Sequence, residues 1–490
     1  MNAQLSALLL CDFYKISHRE QYPEGTETVY STWTPRESRI KSIDHVVSFG
    51  LQGFIKEYLV DFFNEHFFRL PMADVVRDYA RVIKYTLGHE RPYTQHIEDL
   101  HDLGYLPLEI KSVAEGTLVP IRVPMLTIRN TDPRFFWLTN YIETLASCEL
   151  WQACTSATLA FQYRKILTKY AEETGGNLDL VSFQGHDFSM RGMSSLHSSM
   201  LSGVGHLLSF VGTDTIPAIY RAEKYYNANI ETDLVGTSIP ATEHSVMCAN
   251  GRSEEEVFRR LLTKVYPTGF VSIVSDTWDF WNIVSVVLPK IKDLVMARNG
   301  KMVIRPDSGD PVKIICGDPE AADEHACKGL VECLWDIFGG TYNTKGYREL
   351  DPHVGAIYGD SINLERCERI SQLLKDKGFA STNMVYGIGS LTYQLNTRDT
   401  FGFALKSTAC VVDGTEYQLF KAPKTDNGVK TSQRGCVAVI DDGQRLVCKE
   451  GLNLDDQVTG DLLRPVFRDG TLLVDEHLNT IRRRLMDRLT

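Results

Sequence analysis

Four stretches of this 490-residue chain repeat one design, a short apolar strand that ends in an acid or a glycine and is followed by a helix-starting loop. They are Val271–Asp276, Met302–Gly309, Val354–Asp360 and Met384–Gly389. Their end points Asp276, Asp307, Asp360 and Gly389 are separated by 31, 53 and 29 residues, close to the ~30 or more residues of a strand–helix–strand unit. The repetition points to a barrel of parallel strands alternating with helices. In such barrels the C-terminal strand ends and their loops carry the chemistry. Three carboxylates and a glycine loop at these ends suggest a phosphate-handling, Mg²⁺-assisted site, and hence an enzyme.

Helices are legible between the strands. Phe280, Ile283, Val284, Val287 and Leu288 form one helical face, with Asp276 or Thr277 placed to cap its start and Pro289 expected to kink or stop it. A second helix is expected from near Ser361, through Cys367, Ile370, Leu373 and Leu374, to a terminal glycine at Gly378. The longest gap holds the acidic segment Cys316–His325, which reads as a solvated loop. Upstream, Leu178–Phe183 and Leu207–Val211 read as two further strands leading into the loops 185–192 and 212–215.

The barrel is thus expected over residues 178–391. Residues 1–177 form a mixed region, with strands at Thr28–Trp33 and Val46–Phe49. From Phe135 to about Glu172, apolar residues recur at helical spacing, which reads as a helical layer or dimer face. Residues 392–490 are strand-rich and include a hairpin turning at Asp413-Gly414. The fold class is α/β, an irregular TIM-like barrel with an additional mixed, strand-rich lobe built from N- and C-terminal segments.

A formal charge of -11 argues against a general nucleic-acid binder but allows a local basic pocket for small anions. Eleven scattered cysteines, without a C-x-x-C pair, fit reduced thiols in a cytoplasmic protein better than a disulfide framework or a zinc site. Cys148 and Cys154 read as helix-core residues. Ala7–Leu10 is interrupted by Asp12 and lacks a basic flank, unlike a signal peptide, and no run is long enough to span a membrane. The chain has no G-x-x-x-x-G-K-[ST], H-E-x-x-H or G-x-S-x-G motif. It also lacks the paired acids and Thr-Thr-Gly loop of Rossmann-like phosphoribosyltransferases.

Eight ordered motifs then carry a specific resemblance. They are Asp12–His18, His186–Gly192, Gly212–Thr215, Ser238–Ser245, Ser275–Asp276, Ile304–Gly309, Gly359–Asp360 and Thr397–Asp399. In this order they resemble the nicotinamide branch of the nicotinate/nicotinamide phosphoribosyltransferase family, from about Asp12 to the C-terminal lobe. The resemblance implies the barrel of the type II phosphoribosyltransferases. It also implies a pentosyltransferase reaction of NAD salvage, in which nicotinamide and phosphoribosyl pyrophosphate give nicotinamide mononucleotide and pyrophosphate with Mg²⁺.

Residue roles follow from the resemblance. Phe188 is expected on one face of the pyridine ring and Tyr14, from the partner of a homodimer, on the other. Asp214 would accept from the carboxamide NH₂ and repel the carboxylate of nicotinate. Arg191, Arg305, Arg398 and Lys406 are expected around the phosphates, with Arg36 arriving from the other subunit. Gly359 and the Gly387–Ser390 loop, including Gly389 and Ser390, would admit phosphate to backbone N–H groups. Asp276 and Asp307 are the expected acids around Mg²⁺, Asp360 the ribose binder, and Asp12 part of the first motif. His244 matches a histidine phosphorylated by ATP, coupling its hydrolysis to synthesis.

Taken singly, each of these residues has a structural reading: aromatics fill cores, Asp276 caps a helix, Asp214 turns a loop and a lone histidine is a satisfied core residue. The glycine loop Gly-Ile-Gly-Ser-Leu is shorter than the vertebrate-type pattern. Gly355 stands where an arginine is expected, and the loop bearing Lys424 and Lys430 matches only loosely. Two other readings are a nicotinate-using relative, which should not favour an acid at Asp214, and a non-catalytic binding or signalling relative, which should have lost some of His244, Arg305, Asp307 or Arg398.

Overall fold

The computed structural model describes residues 5–251, 253–421 and 431–489. The Lys424 and Lys430 loop lies outside them. The chain divides into two compact units, one of Met1–Thr158, Ala222–Ala228 and Asn396–Arg488, the other of Leu159–Arg221, Asn229–Leu395 and Leu489–Thr490. The helix Glu143–Thr174 contributes to both.

The first unit is built on a seven-stranded antiparallel sheet. Its spatial order is 415–418, 403–412, 26–35, 126–130, 108–112, 464–468 and 471–472. N-terminal and C-terminal segments therefore share one sheet, as the mixed lobe requires. Its longest early strand, Thr26–Pro35, is rich in β-branched and aromatic residues that pack well on a pleated surface. Trp33 is fully buried there and stacks on Phe403 of the neighbouring strand, ring centroids 5.5 Å apart. The hairpin between 403–412 and 415–418 turns through Asp413 and Gly414, both at positive φ (46° and 70°). Two left-handed residues match the twist of the flanking strands.

The second unit holds six parallel strands in the spatial order Gly212–Thr213, Gly185–Asp187, Met384–Ile388, Val354–Tyr358, Met302–Arg305 and Val271–Val274. One further segment closes the sheet. Thr237 bridges Gly212 at one edge and Ala241 bridges Ser272 at the other, both in parallel sense. Main-chain bonds fix the strap, with Thr213 N donating to Thr237 O at 3.0 Å and Ser272 N to Pro240 O at 2.9 Å. The result is an irregular α/β barrel whose strand C-termini all face one way.

Several local expectations need correction. Leu178–Phe183 is helical, a 3₁₀ turn at Leu178–Leu180 continuing into Val181–Gln184, and the strand starts only at Gly185. Leu207–Val211 is the turn leaving the helix Leu196–His206, with the strand confined to Gly212–Thr213. The helix after Val271–Val274 is capped by Asp279, whose side chain accepts from Asn282 N at 3.0 Å, and not by Asp276 or Thr277. Pro289 does not stop that helix. Residues Ile283–Val287 widen to i→i+5 bonding ahead of it, and Pro289 sits in the first turn of Leu288–Met296, where its missing N–H is tolerated. The second helix, Leu364–Asp376, is capped by Asn363 and followed by Gly378 at φ +75°. Of the two helix cysteines, Cys154 is buried and Cys148 exposed.

Candidate functional site

Because the six strands are parallel, residues just after them share one end of the barrel. Those residues are Phe188, Asp214, Asp276, Asp307, Gly359, Asp360, Gly389 and Ser390. Two linked groups form there.

The first surrounds Asp214. Its Oδ1 lies 2.9 Å from His186 Nε2 and accepts from Ser238 Oγ at 2.6 Å. A carboxylate offers only acceptor oxygens, so His186 carries its proton on Nε2. Burial pushes the Asp214 carboxyl up, but the hydrogen bonds from His186 and Ser238 outweigh it and hold the group below its ordinary range. The His186 and Phe188 ring centroids are 4.7 Å apart. Phe188 in turn has the Arg305 guanidinium 6.0 Å from its ring centre.

The second group contains the acids. His244, half-exposed at the start of the short helix His244–Ala249, places Nε2 3.1 Å from Asp276 Oδ1. The other Asp276 oxygen accepts the Asp307 amide at 3.0 Å. Arg305 Nε lies 3.3 Å from Asp307 Oδ2, while its NH2 donates to the Thr242 carbonyl at 2.8 Å. Asp307 Oδ1 is buried without a hydrogen-bond partner among the described residues. Burial pushes the Asp307 carboxyl up, Arg305 opposes the shift, and Asp276 and Asp360 add to it. A buried, repelled carboxylate with an unused oxygen, beside two more acids, is the all-oxygen donor chemistry that suits Mg²⁺.

Glycines make both groups possible. A Cβ on Gly359 would run into Asp307 Oδ1, and one on Gly387 would lie 2.5 Å from the Phe188 ring and 2.8 Å from Gly359 Cα. A Cβ on Gly192 would strike Ser390, so the turn Met190–Gly192, with exposed Arg191, packs directly on the loop after Met384–Ile388. Gly355 differs: it pairs with Val303 near the start of its strand, and a Cβ there would meet the Lys301 side chain at 3.3 Å. Its missing side chain therefore belongs to the opposite end of the strand from Asp360.

The remaining predicted residues form a separate set in the first unit. Asp12, Tyr14 and Arg398 line one cavity of about 240 Å³, together with Glu143 and Trp151. Tyr14 and Lys406 line another of about 420 Å³. Asp12 accepts from Thr144 Oγ1 at 2.9 Å, and Lys406 Nζ lies 3.4 Å from Glu143, which also pairs with buried Lys15. Arg36 Nε donates to the Gly402 carbonyl at 3.0 Å. Tyr14 is 56% exposed, beside an equally exposed Phe13.

Sequence reasoning gave no role to His186, Ser238 or Thr242, which hold Asp214 and Arg305 in place. All three sit inside or beside quoted motifs, but only the fold reveals their partners.

Residues 183–471 match the nicotinate phosphoribosyltransferase (NAPRTase) family, and residues 6–110 match the nicotinamide phosphoribosyltransferase N-terminal domain. A nicotinamide phosphoribosyltransferase of Acinetobacter baylyi is 51% identical, covering 100% of this chain and 99% of its own. Another, from Mycoplasma pneumoniae, is 36% identical over 87% of this chain and 94% of its own. Among solved structures, a nicotinate-nucleotide pyrophosphorylase from Pyrococcus furiosus shares the fold with a TM-score of 0.57 at 13% identity, covering 98% of this chain and 94% of that one. Human nicotinic acid phosphoribosyltransferase does so with a TM-score of 0.52 at 17% identity, covering 98% and 93%. With its N-terminal domain, barrel and full-length relatives all in agreement, the chain belongs to the nicotinate phosphoribosyltransferase family, within its nicotinamide phosphoribosyltransferase branch.

Proposed function

We propose that this chain is a pentosyltransferase that joins nicotinamide to phosphoribosyl pyrophosphate, releasing nicotinamide mononucleotide and pyrophosphate. The observation that carries the amide preference is Asp214, held ionised by His186 and Ser238 beside the Phe188 ring. An oriented carboxylate accepts a hydrogen bond from a carboxamide NH₂, and it repels the carboxylate of nicotinate. The Phe188 face supplies apolar contact for the flat ring at little conformational cost.

The pyridine nitrogen attacks C1 of the ribose as the bond to pyrophosphate breaks, so positive charge develops on the sugar and negative charge on the leaving group. Holding both reactants in line removes most of the entropic barrier. Arg305, fixed by Asp307 and the Thr242 carbonyl, is pre-oriented toward phosphate oxygens, and Arg191 flanks the Ser390 loop. Asp360, exposed just after the strand Val354–Tyr358, is the residue we assign to the ribose hydroxyls. Mg²⁺ bound by Asp276 and Asp307 would neutralise charge on the pyrophosphate.

By the resemblance, Tyr14, Arg36, Arg398 and Lys406 are further substrate-binding residues, with Tyr14 and Arg36 supplied by the second copy of a homodimer. The exposure of Tyr14 supports that reading. Full activity in a monomer at low concentration would refute it.

His244 accepts a phosphoryl group from ATP. With Nε2 turned to Asp276, its proton stays on that atom and Nδ1 keeps the lone pair that attacks the γ-phosphorus as the bond to ADP breaks. The decisive assay supplies phosphoribosyl pyrophosphate, Mg²⁺ and either nicotinamide or nicotinate, with and without ATP, and separates the two mononucleotides. Nicotinamide mononucleotide alone, increased by ATP, is expected. Nicotinate mononucleotide would make the chain a nicotinate-using relative, and neither product would make it a non-catalytic one.

A further inference from the structure

Ser361, three residues beyond the strand Val354–Tyr358, holds a left-handed backbone at φ +55°. In that region the Cβ of an L-residue crowds the carbonyl oxygen, so glycine, asparagine and aspartate are the residues usually found there. A serine persists in it only where the surroundings over-determine the conformation, and such positions cluster at functional sites.

The turn is tied at three successive residues. Arg366, in the first turn of the helix Leu364–Asp376, donates from its guanidinium to the Ser361 carbonyl at 2.5 Å. The hydroxyls of Tyr163 and Thr392, both buried, lie 3.3 and 3.2 Å from the Ile362 carbonyl. Asn363 caps the helix, its side chain accepting from Arg366 N at 2.8 Å. Thr392 belongs to the helix Ser390–Tyr393, so the turn is fastened to the loop proposed for phosphate.

What the constrained backbone secures is a side-chain contact. Ser361 Oγ donates to Asp360 Oδ2 at 2.6 Å. Among the described residues the exposed Asp360 makes no other hydrogen bond and no salt bridge. Because φ sets where Cβ stands relative to the preceding residue, a return of Ser361 to the extended region would move its hydroxyl relative to Asp360. Glycine would occupy the turn without the steric conflict; what serine adds is the hydroxyl.

We propose that Ser361 is a positioning residue, whose hydroxyl holds Asp360 Oδ2 and so leaves Oδ1 as a fixed acceptor for a ribose hydroxyl of phosphoribosyl pyrophosphate. The inference rests on the assignment of Asp360 to the ribose, and the two can be tested apart.

Ser361→Gly removes the hydroxyl and relieves the backbone, whereas Ser361→Ala removes the hydroxyl and keeps the strain. Both are compared with Asp360→Ala and with the double variant Asp360→Ala/Ser361→Gly, by steady-state kinetics and thermal unfolding. In Ser361→Gly, KM for phosphoribosyl pyrophosphate is expected to rise about three- to tenfold. KM for nicotinamide should stay at its wild-type value, and the variant should unfold at no lower temperature than wild type. Ser361→Ala should show the same kinetic change and unfold below Ser361→Gly. With Asp360 already replaced by alanine, Ser361→Gly should change nothing further, since no carboxylate is left to hold. If Asp360→Ala raises KM for phosphoribosyl pyrophosphate but both serine variants keep the wild-type value, the inference is overturned. An undiminished effect of Ser361→Gly in the double variant would overturn it too. A wild-type KM in Asp360→Ala would remove the ribose assignment, and this inference with it.

Discussion

His244 Nε2 and Asp276 Oδ1 are 3.1 Å apart, and the same Asp276 carboxylate accepts the Asp307 amide through its second oxygen. One buried acid therefore orients the half-exposed histidine and also the backbone of the next acidic strand end. His244→Ala is expected to abolish labelling by γ-labelled ATP while leaving slow, ATP-independent synthesis. Asp276→Asn should weaken both, because it disturbs the histidine and the Asp307 loop together. Equal labelling of wild type and His244→Ala would remove the phosphohistidine.

Asp214 should respond in graded fashion to loss of its partners. Ser238→Ala removes one hydrogen bond to a carboxylate, a contribution of about 1.5–3 kcal/mol, so KM for nicotinamide should rise about tenfold or more. The lost hydrogen bond also lets the Asp214 carboxyl rise from its lowered position. The acid limb of the pH profile, below which the carboxylate is protonated, should move to higher pH. Asp214→Ser should weaken nicotinamide use and relax the exclusion of nicotinate, and an unchanged ratio of the two substrates would show that another group reads the amide.

Gly387→Ala tests a steric requirement. The added methyl would lie 2.5 Å from the Phe188 ring, so the ring must shift. Overpacking of this kind costs about 1–3 kcal/mol. Steady-state kinetics should show a marked loss of nicotinamide affinity in a protein that still folds, whereas wild-type KM would mean that Phe188 is not held against Gly387.

A stability prediction concerns Glu115. Its carboxyl is raised to about 7 in the folded chain, against about 4.3 when unfolded. Between these values the unfolded state releases its proton first, so stability falls as pH rises through the window and levels off above about 7. The full effect is about 3–4 kcal/mol as an upper bound. The carboxyl is faced by Glu476 and Tyr226, by the Gln52 and Leu51 amides, and by Arg484 and Arg464 in the surroundings. Glu115→Gln should flatten the unfolding free energy between pH 4.5 and 7, and parallel wild-type and variant curves would count against it.

The four strands that announce the barrel were legible because each is a β-branched or apolar run ending in an acid or glycine, as in Val271–Val274 followed by Ser275 and Asp276. The first two strands were not. Gly185–Asp187 and Gly212–Thr213 are three and two residues long and carry a histidine, one acid and two glycines, while the apolar runs before them, Leu178–Phe183 and Leu207–Val211, attract the strand reading. Periodicity cannot tell a short buried helical turn from a strand. The cap at Asp279 was hidden for a related reason: Asp276 has the right position in sequence, but His244 and the Asp307 amide occupy its oxygens. The acids at strand ends could be found from sequence because they follow a repeat. Their partners His186, Ser238 and Thr242 come from different strand ends or from the closing strap, and no local spacing connects them.

That strap, Thr237–Ala241, is bonded by its main chain to both edges of the parallel sheet. Ser238, on one side, fixes Asp214, the proposed reader of the amide; just beyond the other, the Thr242 carbonyl holds Arg305, and His244 follows as the proposed phosphoryl acceptor. On the proposed roles, recognition of the base and use of ATP hang from a single bridge of five residues pinned at both ends. A shortened or lengthened bridge would misalign the two functions together, so insertions here should be far less tolerable than substitutions.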